Sequence, residues 1–343
     1  MMINQKTYAI YGLGAALVDT EISLLDTDLQ AMQIEKGVMS LVDEARQHQL
    51  MQLLDTHLLA SKRASGGSAA NTIIAASYFG CHNFFSCKFA DDDNGRFYLS
   101  DLTAAGVVSP SHIVPGPGIT GKCLVMITPD AERSMNTFLG VSAELSVAEL
   151  DLNVLAASDF AYVEGYLVGS QSAKHAAVTL LQEARRVGTK TVLSLSDPAM
   201  VQYFRDGLLE MIGDGVDLIF CNQDEALAFT QTEDVDLACQ RLRQYGKTFA
   251  ITCGAQGAIL FDGNALIKVV APKVTAVDSN GAGDMFAGAF LYALSQSMGF
   301  QEAGTFACLA AATVVSQYGP RLRPEQHAEL KAVFSHLEFN SEV

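Results

Sequence analysis

The sequence is poor in basic residues and has no long apolar run. Its 343 residues include 22 Lys and Arg against 38 Asp and Glu, for a formal net charge of -16. Binding to a phosphate backbone depends on basic side chains that displace counterions, so this charge disfavours nucleic acid as a partner. The longest apolar stretch, residues 285–294, has about half the length of a bilayer-spanning helix. The sequence therefore predicts neither a nucleic-acid partner nor a membrane span.

Signals for export and for a bound transition metal are also missing. The first twenty residues hold one lysine and lead into a strand-like segment, without the apolar stretch and cleavage site of a signal peptide. The seven cysteines are scattered and form no CxxC pair, and the seven histidines show no HExxH or similar spacing. We therefore predict a cytoplasmic protein with reduced core thiols and ordinary histidines.

Short β-branched runs alternate with segments of helical period, which predicts an α/β fold with parallel strands and crossover helices. Apolar residues make up 49% of the chain, enough to build a substantial core. The predicted strands are residues 8–13, 84–89, 160–163, 191–195, 218–220 and 249–252. The predicted helices are residues 68–79, 95–105, 172–186, 283–295, 301–316 and 324–336.

Two stretches interrupt this alternation. Residues 20–43 show no clear period, and residues 118–139 contain two strand-like runs, 122–128 and 134–138, on either side of a Pro-Asp turn. A β-hairpin attached to an α/β body often covers a site. We therefore predict one large domain of residues 1–19, 44–117 and 140–343, with an inserted β lid of residues 20–43 and 118–139.

A glycine-rich segment before an apolar helix is the most informative part of the chain. Gly281 and Gly283 permit a tight turn with its backbone N–H groups on one side, and the helix that follows adds its positive dipole end. This arrangement predicts an anion hole. Asp284, in the first helical turn, would lie beside a bound phosphoryl group and accept a proton from an attacking hydroxyl. A bare GxGD pattern, taken alone, is more often a capped helix start.

The segment DSNGAGDMFAGAF at residues 278–290 resembles the C-terminal signature of the ribokinase-like (PfkB) sugar and nucleoside kinases. Four further segments match in the order of that family: GLGAALVD at 12–19, SGGSAANT at 65–72, NQDE at 222–225 and TCGAQG at 252–257. The resemblance covers residues 12–284. It implies a three-layer α/β/α sandwich with a mainly parallel central sheet and a small β lid.

The resemblance implies an ATP-dependent kinase that transfers the γ-phosphate to a primary hydroxyl of a small molecule. Asp284 would be the general base, and Arg133 would clamp the phosphate. The implied anion-hole residues are Asn280, Gly281, Ala282 and Gly283. The implied substrate-binding residues are Asp19, Gly66, Gly67, Ser68 and Asn71, and the implied nucleotide-binding residues are Asn222, Glu225, Thr252, Gly254 and Gly257.

Asn222 and Glu225 would also organise water around Mg²⁺, which needs few direct protein ligands. Each motif has a plainer interpretation. The Asn222–Glu225 spacing is that of a helix capping box, Gly66-Gly67 fits an ordinary turn, and Arg133 fits a solvated lid charge. The resemblance further implies K⁺ near Asp278 and residues 312–319, and a homodimer through lid residues 122–138.

The acceptor stays open between a nucleoside and a free sugar. Residues 132–140 and 193–204 and the GGSAAN motif resemble adenosine kinases, which favours an adenosine-like acceptor. Ala15, however, stands where those enzymes usually carry Asn, which leaves ribose, fructose or 2-keto-3-deoxygluconate as alternatives. Phe138 and Phe204 are candidates for base stacking or for packing. A non-catalytic ligand-binding relative is a further alternative, whereas a dinucleotide-dependent dehydrogenase is disfavoured because GLGAAL lacks the third glycine of its motif.

Overall fold

Two β-sheets organise the chain in the computed structural model, which describes residues 6–37, 39–58, 62–110, 116–130 and 132–341. The strands are β1 (Tyr8–Leu13), β2 (Leu17–Ser23), β3 (Met39–Leu41), β4 (Lys62–Gly66), β5 (Asn83–Ser86), β6 (Thr120–Ile127), β7 (Arg133–Gly140), β8 (Ser158–Glu164), β9 (Lys190–Ser194), β10 (Val216–Asn222), β11 (Gly246–Thr252), β12 (Ala258–Phe261) and β13 (Leu266–Val269).

Thirteen α-helices connect these strands within the described residues. They are α1 (Asp26–Ala31), α2 (Glu44–Leu53), α3 (Asp55–Leu58), α4 (Ser68–Phe79), α5 (Asp93–Ala104), α6 (Leu152–Ala156), α7 (Gln171–Val187), α8 (Pro198–Ile212), α9 (Gln223–Thr230), α10 (Val235–Leu242), α11 (Ala282–Ser295), α12 (Phe300–Val315) and α13 (Pro324–Ser341). Over the described ranges, no helix is both long and apolar enough to cross a bilayer.

The large sheet has eight strands in the order β13-β12-β11-β10-β9-β8-β1-β5. All neighbours pair in parallel except at the β12 and β13 end, where the pairing is antiparallel. Successive side chains alternate between its faces, so Ile10 packs in one core and Tyr11 in the other. Helices α4, α5 and α11–α13 cover the first face, and α6–α10 cover the second. The predicted three-layer α/β/α architecture is therefore confirmed.

Most predicted elements agree with the structure, and β1 and α4 have the predicted bounds. The strand predicted over residues 84–89 is wrong at its end, because β5 ends at Ser86. Cys87 and Phe89 follow β5 and are buried in the core on the face of the large sheet that α4, α5 and α11–α13 cover. A run of apolar residues indicates that a segment is buried, but it does not distinguish a buried strand from a buried loop.

All seven cysteines are free thiols, as predicted, and Cys253 is the least buried of them.

The small sheet has the order β3-β7-β6-β2-β4 and contains the predicted hairpin as β6 and β7. One face packs on α1 and α2 through a cluster that includes Ile22, Leu29, Leu50 and Leu124. Because β4 pairs with β2, this sheet extends beyond the predicted lid boundary at residue 43. Both β6 and β7 have neighbours on each side, so β3 and β4 are the edge strands of the sheet.

The predicted domain ranges include residues 1–5, 38, 59–61, 111–115, 131 and 342–343, which lie outside the described residues.

Candidate active site

The carboxyl ends of β1, β8, β9, β10 and β11 border a cavity of about 670 Å³, and the small sheet provides its opposite wall. In an open parallel sheet these strand ends meet at one edge, where α/β proteins bind ligands. Every site residue predicted from the sequence lines this cavity, except Gly66 and Gly257. Those that do are Asp19, Gly67, Ser68, Asn71, Arg133, Asn222, Glu225, Thr252, Gly254, Asn280, Gly281, Ala282, Gly283 and Asp284.

The residues predicted to form an anion hole, 280–283, lie at the start of α11. Gly281 precedes the helix with φ of 72°, and a Cβ there would lie 2.2 Å from the carbonyl oxygen of Pro320. Only glycine therefore fits this turn. The first N–H groups of an α-helix have no acceptor within the helix, and they carry its positive dipole end. The cavity wall at residues 280–283 consequently suits an anionic group.

Asp284 occupies the first turn of α11 and is held by two side chains from α4. Ser68 Oγ donates to Asp284 Oδ1 at 2.6 Å, and Asn71 Nδ2 donates to Oδ2 at 3.2 Å. Burial raises the pKa of Asp284 to about 6, and the two hydrogen bonds oppose that rise. A carboxylate with this pKa is mostly ionised at neutral pH and still close enough to the working pH to exchange a proton.

Asp19 lies on β2, on the small-sheet side of the cavity. Burial raises the pKa of Asp19 to about 7. Gly66 lies behind this residue, since a Cβ at position 66 would be 2.1 Å from Asp19 Cγ. Gly67 has φ of 93° and approaches the Ala15 carbonyl so closely that a Cβ would lie 2.5 Å from its oxygen. The glycine pair therefore allows β4, the end of β1 and the start of α4 to meet beside Asp19.

Arg133 lies on β7 and its side chain is only 8% exposed, so the interpretation as a solvated charge is wrong. Its guanidinium pairs with Asp278, and Nη1 lies 3.6 Å from Glu21 Oε1. The Nε and Nη1 atoms are buried without a hydrogen-bond partner among the described residues. Arg133 thus brings to the cavity wall near residues 280–283 a guanidinium that is paired with Asp278 and has two donors without a hydrogen-bond partner in the described part of the chain.

Asn222 and Glu225 form a capping box at the start of α9, and both line the cavity. Glu225 Oε1 accepts from Asn222 Nδ2 at 2.6 Å, and Oε2 accepts from Asn222 N at 3.1 Å. Burial raises the pKa of Glu225 to about 7. Thr252 and Gly254 line the same end of the cavity, whereas Gly257 closes the turn before β12 through its bonds with Gly254 and Cys253.

A family model described as pfkB family carbohydrate kinase matches residues 45–327, which is most of the chain. The chain belongs to the pfkB family. The solved structures that it is similar to include a probable sugar kinase from Rhizobium etli CFN 42 (33% identity, TM-score 0.88, 96% of this chain and 99% of that chain). They also include the adenosine kinase from Sinorhizobium meliloti (34% identity, TM-score 0.87, 95% of this chain and 99% of that chain). A ribokinase from Haemophilus influenzae is 29% identical over 266 residues, 75% of this chain and 82% of that protein.

This pfkB kinase is a phosphotransferase with an alcohol group as acceptor, and it lies in the adenosine-kinase-like branch of the family. The relatives carry the names of adenosine, ribose and sugar kinases, so similarity leaves the acceptor unsettled. Kinases of this family use ATP, and Mg²⁺ is the general expectation.

The side chains present fit a water-mediated Mg²⁺ site. No cluster of three or more His, Cys, Asp or Glu side chains within the described ranges could hold a metal ion directly. Mg²⁺ usually keeps several waters and takes few carboxylates, so the oxygens of Asn222 and Glu225 suit contact through water. When bound, Mg²⁺ would neutralise charge on the phosphate oxygens of ATP.

Potassium fits the same cavity wall poorly. The Asp278 carboxylate accepts from Arg133, from Asn280 N at 2.9 Å and from Gly319 N at 2.7 Å. The Val315 carbonyl, in the segment predicted to supply further ligands, accepts from the N–H groups of Val277 and Asp278. A directly bound K⁺ would compete with these donors, and it would gain little from a carboxylate that the guanidinium of Arg133 already neutralises.

Several residues that line the cavity were not predicted from the sequence. Glu164, at the end of β8, is 1% exposed, and burial raises its pKa to about 7. The signal that could have indicated it is an acid that ends a buried strand just before a glycine. The cavity-facing side of the small sheet is largely apolar, with Leu17, Met39, Val125, Met135 and Leu139.

The two stacking candidates do not belong to the cavity. Met135, Thr137 and Leu139 of β7 line it, so Phe138 points to the other face of the small sheet by the two-residue period of a strand. Phe204 lies at a kink in α8 and is 37% exposed. Neither Phe138 nor Phe204 is therefore placed to stack on a base in this cavity, which leaves packing as the interpretation of the two that fits.

Proposed function

We propose that this kinase transfers the γ-phosphoryl group of ATP to a primary hydroxyl of a nucleoside-like acceptor, with Asp284 as general base. The observation that carries the proposal is the position of Asp284. It lies in the first turn of α11 beside the proposed anion hole, and Ser68 and Asn71 hold its carboxylate in the cavity that Asn222 and Thr252 also line.

The reaction follows from this geometry as an in-line displacement. The acceptor oxygen forms a bond to the γ-phosphorus while the bond from that phosphorus to the bridging oxygen of ADP breaks. The hydroxyl proton passes to Asp284, and ADP leaves. Negative charge on the transferred group would be received by the first N–H groups of α11 and by the unused donors of Arg133.

The walls of the cavity favour a nucleoside over a free sugar. Asn71 Oδ1 is buried without a hydrogen-bond partner among the described residues, and Asp19 lies nearby on β2, so both can accept from substrate hydroxyls. The apolar residues on the cavity side of the small sheet offer no hydrogen-bonding side chains to a polyhydroxylated sugar. An apolar, planar base attached to ribose would bury that surface, with Met39 and Met135 adapting to its shape.

The test is ADP release from MgATP with adenosine, inosine, guanosine, ribose, fructose and 2-keto-3-deoxygluconate as acceptors. We expect turnover with a nucleoside and a loss of roughly 10²- to 10⁴-fold in Asp284→Asn, the usual range for a general base. Asp262→Asn, which changes a carboxylate in the turn between β12 and β13, is the matched control. Turnover with a free sugar alone would establish that alternative. Acceptor binding without turnover, unchanged in Asp284→Asn, would leave a non-catalytic relative.

A second variant separates the two kinds of acceptor. Met135→Ala removes apolar area from the cavity side of β7. We expect it to raise KM for a nucleoside by about 10-fold, since a bound base that covers this half-buried side chain would gain about 1.5 kcal/mol from it. KM for ATP should stay near its wild-type value. An unchanged KM for the nucleoside would contradict the proposal that the base of the nucleoside packs against the small sheet at Met135.

The homodimer remains a proposal. With β6 and β7 paired on both sides, a second copy would extend the small sheet at β3 or β4. Size-exclusion chromatography with light scattering gives the mass directly, and a monomeric mass at working concentrations would exclude it.

A further inference from the structure

Glu164 joins two segments of the site that are distant in the sequence. Its Oε1 accepts from the backbone N–H of Ala15 at 2.7 Å, and its Oε2 accepts from the backbone N–H of Ala69 at 2.7 Å. Ala15 lies in the loop between β1 and β2, and Ala69 lies in the first turn of α4. One carboxylate therefore satisfies two N–H groups that neither a strand ladder nor the α4 helix provides with an acceptor.

The surroundings of Glu164 leave it little freedom. A Cβ at position 14 would lie 2.6 Å from Ala69 Cβ and 2.9 Å from Glu164 Cδ, so only glycine at 14 makes room for this contact. The backbone after Glu164 is fixed as well, because Gly165 N donates to Ser196 Oγ at 2.8 Å. Both the carboxylate and the turn that carries it are thus held in one position.

The two joined segments carry the substrate side of the proposed reaction. The loop at Ala15 leads directly into β2, which bears Asp19. Ala69 stands between Ser68 and Asn71, the two side chains that donate to Asp284. A shift of Ala15 relative to Ala69 would therefore change the spacing between the acceptor-binding carboxylate and the group around the base.

We propose that Glu164 is a positioning residue, which fixes the loop at Ala15 and the start of α4 relative to each other and so sets the place of the acceptor against Asp284. Its kinetic consequence rests on the function proposed above, whereas the bridge itself does not. A carboxylate suits this position because it has two acceptor oxygens. A glutamine has one acceptor oxygen and an NH₂ group, so it leaves one backbone N–H facing a donor.

The matched control is Glu149, a buried glutamate outside the cavity. Its carboxylate accepts from Ser146 N at 2.7 Å and from Ser146 Oγ at 2.9 Å in a capping box. Glu149→Gln makes the same chemical change at a similar depth. It affects a short turn that carries no residue of the cavity lining.

Hydrogen exchange of the substrate-free protein tests the bridge without any activity. In the wild type we expect slow exchange at the amides of Ala15 and Ala69. Glu164→Gln should speed exchange at one of them by about 10-fold or more, the ratio for each 1.4 kcal/mol of lost protection, and Glu149→Gln should change neither. Fast exchange at both amides in the wild type would overturn the bridge even if the variant failed to fold.

Steady-state kinetics test the positioning role. A displacement of reacting groups by about 1 Å can cost about 10²-fold in rate, so we expect Glu164→Gln to lower kcat/KM for the acceptor by up to that factor with KM for ATP nearly unchanged. A merely structural role would reduce the active fraction and leave the KM for the acceptor as in the wild type, which would overturn the proposal. A wild type inactive with every acceptor would instead refute the proposed function and leave the exchange result standing.

Discussion

The hydroxyl of Ser68 donates to the carboxylate of Asp284 at 2.6 Å, although 216 positions of chain separate the two residues. The contact ties the start of α4 to the start of α11. It favours the ionised carboxylate, because a carboxylate accepts this hydrogen bond more strongly than the neutral acid does. Burial acts in the opposite direction, and the balance places the pKa of Asp284 at about 6.

Removing the Ser68 hydroxyl should move the acid limb of the pH–rate profile upward. Ser68→Ala takes away a bond to the ionised form, so the pKa of Asp284 rises and the base becomes protonated at higher pH. We expect the limb in kcat/KM to shift by roughly one pH unit, since one unit corresponds to about 1.4 kcal/mol. Ser77→Ala, in the same helix but outside the cavity lining, should leave the limb in place. If the acid limb of the profile lies at the same pH in Ser68→Ala and in the wild type, protonation of Asp284 is not what causes that limb.

Arg133 and Asp278 should be coupled in stability but not in activity. Their pair is buried, with exposed fractions of 8% and 1%, so breaking it from either side should cost about 3–5 kcal/mol of unfolding free energy. Arg133→Met with Asp278→Asn should lose less than the two single variants added together, yet stay inactive without its guanidinium. Urea unfolding and ADP release measure the two effects. The exposed Arg96–Asp93 pair is the control cycle, with a coupling below about 1 kcal/mol.

Asp19→Asn should stabilise the protein at high pH. Burial raises the pKa of Asp19 to about 7, so the folded state favours the protonated acid, and its contribution to stability is lost as pH rises from the unfolded value through 7. Asparagine avoids this loss. Thermal unfolding at about pH 5.5 and about pH 8.5 should therefore show that Asp19→Asn raises the Tm above the wild-type value by more at the higher pH. The variant should also bind the acceptor more weakly. Asp206→Asn, at an exposed position of α8, should show no such difference, and an equal gain at both pH values would refute the argument.

Glu225→Gln should weaken Mg²⁺ use without melting α9. The glutamine oxygen can keep one bond of the capping box, but the carboxylate charge that would order water around Mg²⁺ is gone. Changes of this kind in the surroundings of a metal cost about 10- to 100-fold in affinity. A titration of ADP release with Mg²⁺ at saturating ATP measures the effect. Glu302→Gln, which alters the capping contact of α12 at Gly299, should leave the titration unchanged.

Potassium should have little effect on the rate. Arg133 and two backbone N–H groups already use the oxygens of Asp278. We therefore expect equal rates in KCl and NaCl at matched ionic strength. A strong requirement for K⁺ would show that these donors give way to the ion during turnover.

Local patterns predicted the parts of the site that one stretch of chain builds. The glycines at 281 and 283 and the apolar run after them encode the turn and the helix start at Asp284, because glycine conformations and helical period depend on neighbouring residues. The period of two similarly encodes the hairpin of β6 and β7. Phe138 stayed open between base stacking and packing, because the sequence does not say which face of a strand meets the cavity.

The amino-acid sequence by itself determined the α/β architecture, the glycine turn that begins α11 and the family of this protein, because these follow from periodicity, glycine positions and ordered motifs. Tertiary structure alone decided that Ser68 meets Asp284, that Arg133 pairs with Asp278, and that Glu164 joins Ala15 to Ala69. It also decided that β4 joins the small sheet. The hydrophobic pattern indicates which residues are buried. Which residues a buried side chain contacts depends on how sheets and helices from distant parts of the chain pack together.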